Sequence, residues 1–223
     1  MLRLLALPLV LLLLATTAAA QTTPQPFESS IRPLPAPLRA SLVSTKSWAP
    51  GCPVPLSGLR LLEATVWGWD GRPNTGQLIV NADAAAPLAT VFRKLYRLKF
   101  PIRHMRLGHM YGPKRAYPAD GDVTGSFRCR QSVPSPCVGG SASGRWSNHA
   151  YGLAVDVNPV ENPYFGCGAV RDPRSRPYLD RSRLRKGMVT PAVVRAFHSI
   201  GWGWGGSWSG DTKDWMHFSH NGR

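Results

Sequence analysis

An α+β domain with a small antiparallel sheet and flanking helices is the fold class this sequence predicts, and three observations carry it. Two β-branched, apolar runs flank a turn sequence near residue 70, two later segments carry apolar residues at helical spacing, and strands and helices do not alternate regularly along the chain.

In chain order, Met1-Leu-Arg precedes the apolar run Leu4 to Ala15, followed by Thr16, Thr17 and Ala18-Ala19-Ala20 before Gln21. A charged start, an apolar middle and a small-residue end are the parts of a secretory signal peptide, so residues 1–20 read as a leader cleaved after Ala20. The run is shorter than the roughly 20 residues of a spanning helix, and an uncleaved N-terminal anchor is the alternative. Residues 21–50 contain prolines 24, 26, 33, 35, 37 and 50 among Ser, Thr and Ala without a sustained apolar period, and read as a flexible tether. Residues 51–223 are the length of one ordinary domain with a real core.

Within it, Leu59 to Trp69 and Gln77 to Asn81 read as the strands of a hairpin, with Asp70 to Gly76 as its loop. Asp83 then caps a helix over Ala84 to Leu98, where Leu88, Val91, Phe92 and Leu95 make one apolar stripe. Thr190-Pro191 opens a second helix with Val193, Val194, Phe197 and Ile200 on one face and Gly201 at its end. Leu153 to Asn158 alternates as a strand, and Trp215 to Ser219 reads as another.

The chain carries 27 Lys and Arg against 12 Asp and Glu, a formal net charge of +15. Such a surface seeks polyanions, which outside a cell are wall polymers, anionic lipid surfaces or nucleic acid. Seven basic residues lie between Arg171 and Lys186, where a solvated face is the plain reading. Tyr178 is the one aromatic in that stretch, so the interleaved stacking rings of a nucleic-acid binder are missing and no nucleic acid is expected. Cysteines 52, 129, 137 and 167 are even in number and, in an oxidising compartment, imply two disulfides. Three pairings are open; the short Arg130–Pro136 loop favours Cys129–Cys137, leaving Cys52–Cys167. No Cys-x-x-Cys pair suggests a thiolate metal site.

The chemistry concentrates in Ser147-Asn-His149-Ala-Tyr-Gly152-Leu-Ala154-Val-Asp156 and Asp214-Trp-Met-His217-Phe. Along the strand, Leu153, Val155 and Val157 share one face, and Ala154, Asp156 and Asn158 the other. Gly152 argues against one helix from His149 to Asp156 and lets the chain fold back so that both side chains converge. Two imidazoles and a carboxylate leave the fourth tetrahedral position for water, as a catalytic zinc site requires. His104, His109, His198 and His220 lack such partners in sequence and read as ordinary core or surface residues. Trp202, Trp204, Trp208 and Trp215, set among glycines, read first as packing and second as an aromatic wall for an extended substrate.

This Ser-x-His-x-x-Gly-x-Ala-x-Asp followed by Asp-Trp-x-His resembles the zinc D-alanyl-D-alanine carboxypeptidases and LD-endopeptidases related to VanY and VanX. The likeness extends through Leu78 to Asn81, Phe100 to Ile102, Thr124 to Arg130, Asn158-Pro159, Asn162 to Tyr164 and Phe197 to Gly203, roughly Leu59 to Ser219. It implies the fold shared with hedgehog signalling domains. By position, His149, Asp156 and His217 would hold one Zn2+ ion, Asp214 would be the general base toward a zinc-bound water, and Arg130 would stabilise the oxyanion. Many relatives carry Glu at the base position, one methylene longer than Asp214. Arg128 stands where relatives commonly carry Asn and competes with Arg130; Asp211 is the neighbouring candidate for Asp214. The implied substrate is the peptidoglycan stem peptide, with anionic cell-wall polymers as partners, a monomeric state and a secreted, wall-associated location. Arg145, Arg171 and Arg174 are unranked candidates for reading a substrate carboxylate.

Ser-x-x-Lys, Lys-Thr-Gly and His-Glu-x-x-His are all absent, which removes the serine D-alanyl-D-alanine peptidases and helix-borne zinc sites. The alternative of another class is a non-catalytic, zinc-containing wall-binding module. That reading predicts loss of Asp214 or Arg130, and both are present.

Overall fold

The computed structural model describes residues 25–107, 118–134, 137 and 144–223; the expected leader and His109 lie outside them. The first sheet is β1 (Ser29–Pro33), β2 (Leu59–Trp67) and β3 (Pro73–Asn81), antiparallel in that order. The hairpin register runs from Leu59 opposite Asn81 to Trp67 opposite Pro73, so the expected hairpin is present. Its turn is tighter than read, because Pro73 to Gly76 join the second strand.

Both faces of this sheet are covered. Leu62, Ala64 and Val66 of β2, with Leu78 and Val80 of β3, face one core; Leu59, Leu61 and Ile79 face a second. The period of two makes these the alternate sides of the same strands. The helix α2 (Ala82–Arg97) buries Leu88, Val91, Phe92 and Leu95 on the first face, at about 1.5 to 3 kcal/mol for each large apolar side chain. Its cap is Asn81, whose side chain accepts from the Asp83 amide at 3.1 Å, whereas Asp83 was expected to cap and instead sits in the first turn.

The second face corrects the tether reading of residues 21–50. β1 pairs with β2 from Ser29–Ala64 to Pro33–Arg60, and α1 (Ala36–Ser44) follows, with Leu34 and fully buried Leu42 in the second core. The prolines do not oppose this, since Pro35 and Pro37 stand at a helix start, where a missing N–H costs nothing. Leu61-Leu62 places consecutive apolar side chains on opposite faces, and a sheet so built needs cover on both sides.

The disulfide expectation is also corrected: the bonds are Cys52–Cys129 and Cys137–Cys167. Phe127 belongs to the second core, and its amide bonds the Ile79 carbonyl at 3.1 Å. In extended chain Cys129 shares the face of Phe127, so its sulfur points at the N-terminal layer that carries Cys52. Arg128 and Arg130 take the opposite face.

The remaining elements are short. The second sheet orders β4 (Ala154–Asp156), β9 (His217–Ser219) and β7 (Gly203–Trp204); the third orders β6 (Ala169–Val170), β5 (Tyr164–Gly166) and β8 (Lys213–Asp214). The helix α3 (Pro191–His198) is capped by Thr190. Its Phe197 stacks on Phe218 of β9 at a ring separation of 3.9 Å, which seats the second sheet on the first core. The class is therefore α+β with three small antiparallel sheets rather than the single one expected. Among the described residues, no helix is long and apolar enough to cross a membrane.

Candidate functional site

Ser147 starts a single 3-10 turn over Asn148–Tyr151, its side chain accepting from the His149 amide at 3.3 Å. Gly152 ends that turn in the left-handed region at φ 67°, and a Cβ there would lie 2.5 Å from the Asn81 nitrogen. Glycine is required on both counts. The close approach lets the Asn81 amide bond the Gly152 carbonyl at 2.9 Å while the Asn81 side chain donates to the Tyr151 carbonyl at 2.9 Å. The His149 turn is thereby clamped to the junction of β3 and α2.

Asp156 and His217 stand directly opposite each other in the β4–β9 register. The other edge of β4 is held by Gly125, which exchanges both backbone bonds with Asp156 at 2.8 and 3.0 Å. Beyond the strand, buried Asn158 donates to the carbonyls of Pro101 and Gly187, and Asn162 donates to those of Val157, Asn158 and Gly187. These two asparagines fix the loop that follows the carboxylate.

His149 Nε2 lies 3.2 Å from Asp156 Oδ2 and 3.3 Å from His217 Nδ1, which is 3.0 Å from Asp156 Oδ1. One donor atom from each residue lies within 4.8 Å of the others, the geometry of a group that could hold a metal ion. The outer ring nitrogens are already committed: His149 Nδ1 sits 2.6 Å from the Ser126 carbonyl and His217 Nε2 3.2 Å from the Arg223 carbonyl. Such outer carbonyl partners orient metal-bound imidazoles and set their tautomers. The Arg223 oxygen is itself held by Ser219 Oγ at 2.8 Å and by the Asn148 side chain. Neither carbonyl was anticipated, since main-chain acceptors leave no mark in residue identity. The chemistry of the donor set, with both inward nitrogens and a carboxylate converging, fits a zinc ion.

Burial alone would raise the Asp156 carboxyl, but the adjoining imidazoles of His149 and His217 outweigh it and hold it far below the usual carboxylate range. Asp214 behaves in the opposite way, pushed up to about 7 by burial and then by the nearby Asp156 charge, against the pull of His217 and Arg130. Its Oδ1 is buried and has no hydrogen-bond partner among the described residues. β8 carries it through pairing with Tyr164, and Gly205 admits it, because a Cβ on Gly205 would meet the Asp214 carbonyl at 2.5 Å.

Arg130 is half-buried, and burial lowers its pKa against the opposing attraction of Asp156 and Asp214. Arg128 is exposed, and of the two arginines Arg130 is the one whose charge bears on Asp214. Asp211 is exposed and lies outside the cluster. His104 is occupied by Asp120 at 3.0 Å, and His198 and His220 are exposed.

Arg174 is bound to Asp172 and the Ala119 carbonyl. Arg171 lies over Tyr164, the strand partner of Asp214, and Arg145 is exposed. Of the tryptophans, Trp202 is core, Trp204 stacks on Phe218, and Trp215 stacks on Phe165. Trp208 alone of the four abuts the cluster, its ring 6.0 Å from that of His217.

A family model described as D-alanyl-D-alanine carboxypeptidase matches residues 141–220, a narrower span than the likeness read from the sequence. That span contains His149, Asp156, Asp214 and His217 and stops short of Arg130. No curated protein and no solved structure matches the chain.

Proposed function

We propose that this chain is a secreted zinc peptidase that hydrolyses an amide bond in the stem peptide of bacterial peptidoglycan, either releasing terminal D-alanine or cutting within the stem. On this reading the fold is the one such peptidases share with hedgehog signalling domains. The observation that carries it is the convergence of His149, Asp156 and His217 beside a buried carboxyl oxygen of Asp214 with no partner. A structural zinc site is closed by a fourth protein ligand, whereas three ligands leave a position for reaction.

Zinc, when bound there, lowers the pKa of a coordinated water toward 7 and polarises the scissile carbonyl. Asp156 stays ionised and supplies negative charge to the dication. Asp214 takes a proton from the attacking water and returns it to the departing amine; a carboxyl poised near 7 is matched to both transfers at neutral pH. Arg130 faces the charge that develops on the carbonyl oxygen. Two disulfides and a basic surface suit work in an oxidising, anionic wall.

The test is a zinc titration of the purified protein, followed by mass spectrometry of products from whole peptidoglycan and from a stem pentapeptide. One zinc per chain and release of D-alanine or of a stem fragment are expected, with both lost in His217→Ala. Zinc and wall binding without cleavage of either substrate would make the chain a non-catalytic wall-binding module.

A further inference from the structure

Away from the metal cluster, two adjoining cavities of about 580 and 380 Å³ open where the end of α2 meets α3 and the segment that precedes it. They share Leu98 and Ala192 in their walls and so form one continuous groove. Lys99, Arg185 and Lys186 line the larger part, and Lys94, Arg97 and Arg195 the smaller; no acidic residue lines either. Elsewhere the described residues pair arginine with acid, as in Arg32–Glu63, Arg103–Asp122 and Arg174–Asp172. None of the six groove cations makes such a pair among the described residues. Six like charges along one channel repel one another unless an anion enters it.

We infer that this groove binds a linear anionic glycopolymer, a chain of sugar or polyol units joined by phosphodiesters. The inference rests on the wall-directed reading above only for the choice of polymer. The floor is apolar and recessed, with Phe100, Met188 and Val193 each at most 7% exposed. A membrane surface calls for several protruding apolar groups, and of the large apolar side chains lining the groove Leu98 alone is exposed, at 48%. A concave apolar floor between cations fits instead a thin chain whose charges alternate with less polar spacers. A single-stranded nucleic acid held by base stacking would use free aromatic faces. Trp67 offers none, since it is stacked on Tyr96 at 5.4 Å and carries Lys99 Nζ 5.6 Å above its ring.

The experiment measures binding of the full chain to poly(glycerol phosphate) by calorimetry at low and moderate salt. Wild type is compared with Arg97→Gln/Arg185→Gln/Arg195→Gln and with the charge-matched control Arg39→Gln/Arg106→Gln/Arg176→Gln; all six arginines are exposed. The groove triple is expected to weaken binding about tenfold or more and to flatten its salt dependence, because fewer counterions are released. The control should change binding less than about twofold. Equal losses in both triples would overturn the inference, reducing it to net charge. So would equally tight, groove-dependent binding of oligothymidylate of matched charge or of phosphatidylglycerol vesicles. Hydrolysis of a short stem peptide should be the same in the groove triple and wild type. If wild type cuts nothing while the groove triple still loses the polymer, the peptidase reading fails and the groove stands.

Discussion

Two clusters of ionisable side chains flank Asn158, and they are arranged differently. On one side Arg103 donates to Asp122 at 3.0 Å and to Glu161 at 2.9 Å, while the Val160 amide donates to Asp122 at 2.9 Å. The guanidinium lies 3.8 Å from the Trp69 ring centroid, and both carboxylate side chains are wholly buried. On the other side, three donor atoms of His149, Asp156 and His217 face one another with their outer partners already taken, and Asp214 Oδ1 has none. Each cluster leaves one buried carboxyl oxygen without a partner among the described residues, Glu161 Oε2 in the first and Asp214 Oδ1 in the second, so what sets the second apart is the three donor atoms that converge on one another. The Arg103 cluster holds the fold; the His149 cluster leaves its own chemistry open.

The sharpest way to break that comparison is to neutralise one member of each cluster and ask what is lost. Asp214→Asn should lower stem-peptide hydrolysis by about a hundred- to ten-thousandfold, the usual range for a missing general base. Zinc stoichiometry should stay at one per chain and the thermal midpoint should not fall, because Asp214 Oδ1 makes no contact in the fold and the substitution removes a buried charge. Arg103→Met should do the reverse, costing about 3 kcal/mol in denaturant unfolding by leaving the buried acids Asp122 and Glu161 without their guanidinium. Its zinc stoichiometry should remain one per chain. If Asp214→Asn destabilised the fold as much as Arg103→Met, both clusters would be structural and the catalytic role of Asp214 would fall.

The same contrast explains what could be read from the sequence. The grouping of His149, Asp156 and His217 was legible because candidate ligand sets are side chains at fixed spacing, and the alternation of Leu153 to Asn158 put Asp156 on a definite face. The pairing of Asp156 with His217 depends on strand register, and the carbonyls of Ser126 and Arg223 on tertiary position, so neither could be read. Helices α2 and α3 were legible from period and caps, although Asn81 outcompeted Asp83 because the strand turns into the helix one residue earlier. The N-terminal layer was missed for a definite reason. Its prolines looked like a linker, while the signal that the sheet needs a second cover lay in Leu61-Leu62, far along the chain. With that layer hidden, Cys129 had no visible partner at Cys52, and the short loop to Cys137 took its place.

A pH dependence sharpens the comparison further, because Asp122 is pushed up to about 8, first by burial and then by Glu161. The folded state therefore holds a proton that the unfolded chain releases near its ordinary value of 3.8. Stability from this group is fully present below about pH 4 and is lost as pH rises to about 8, by at most about 1.4 kcal/mol per pH unit for one proton. Asp120, hydrogen-bonded to His104, and Asp172, held by Arg174, are lowered instead, so their contributions are already complete above pH 4 and do not slope in this window. Asp214 has the same sign as Asp122 up to about 7, so the measurement belongs in the Asp214→Asn background. There, urea midpoints should fall from pH 5 to pH 8 and level off beyond. Asp122→Asn, which mimics the protonated carboxyl, should flatten the fall. A profile already flat in the Asp214→Asn parent would mean that Asp122 is ionised throughout, and the Arg103 cluster would then carry two full negative charges against one guanidinium.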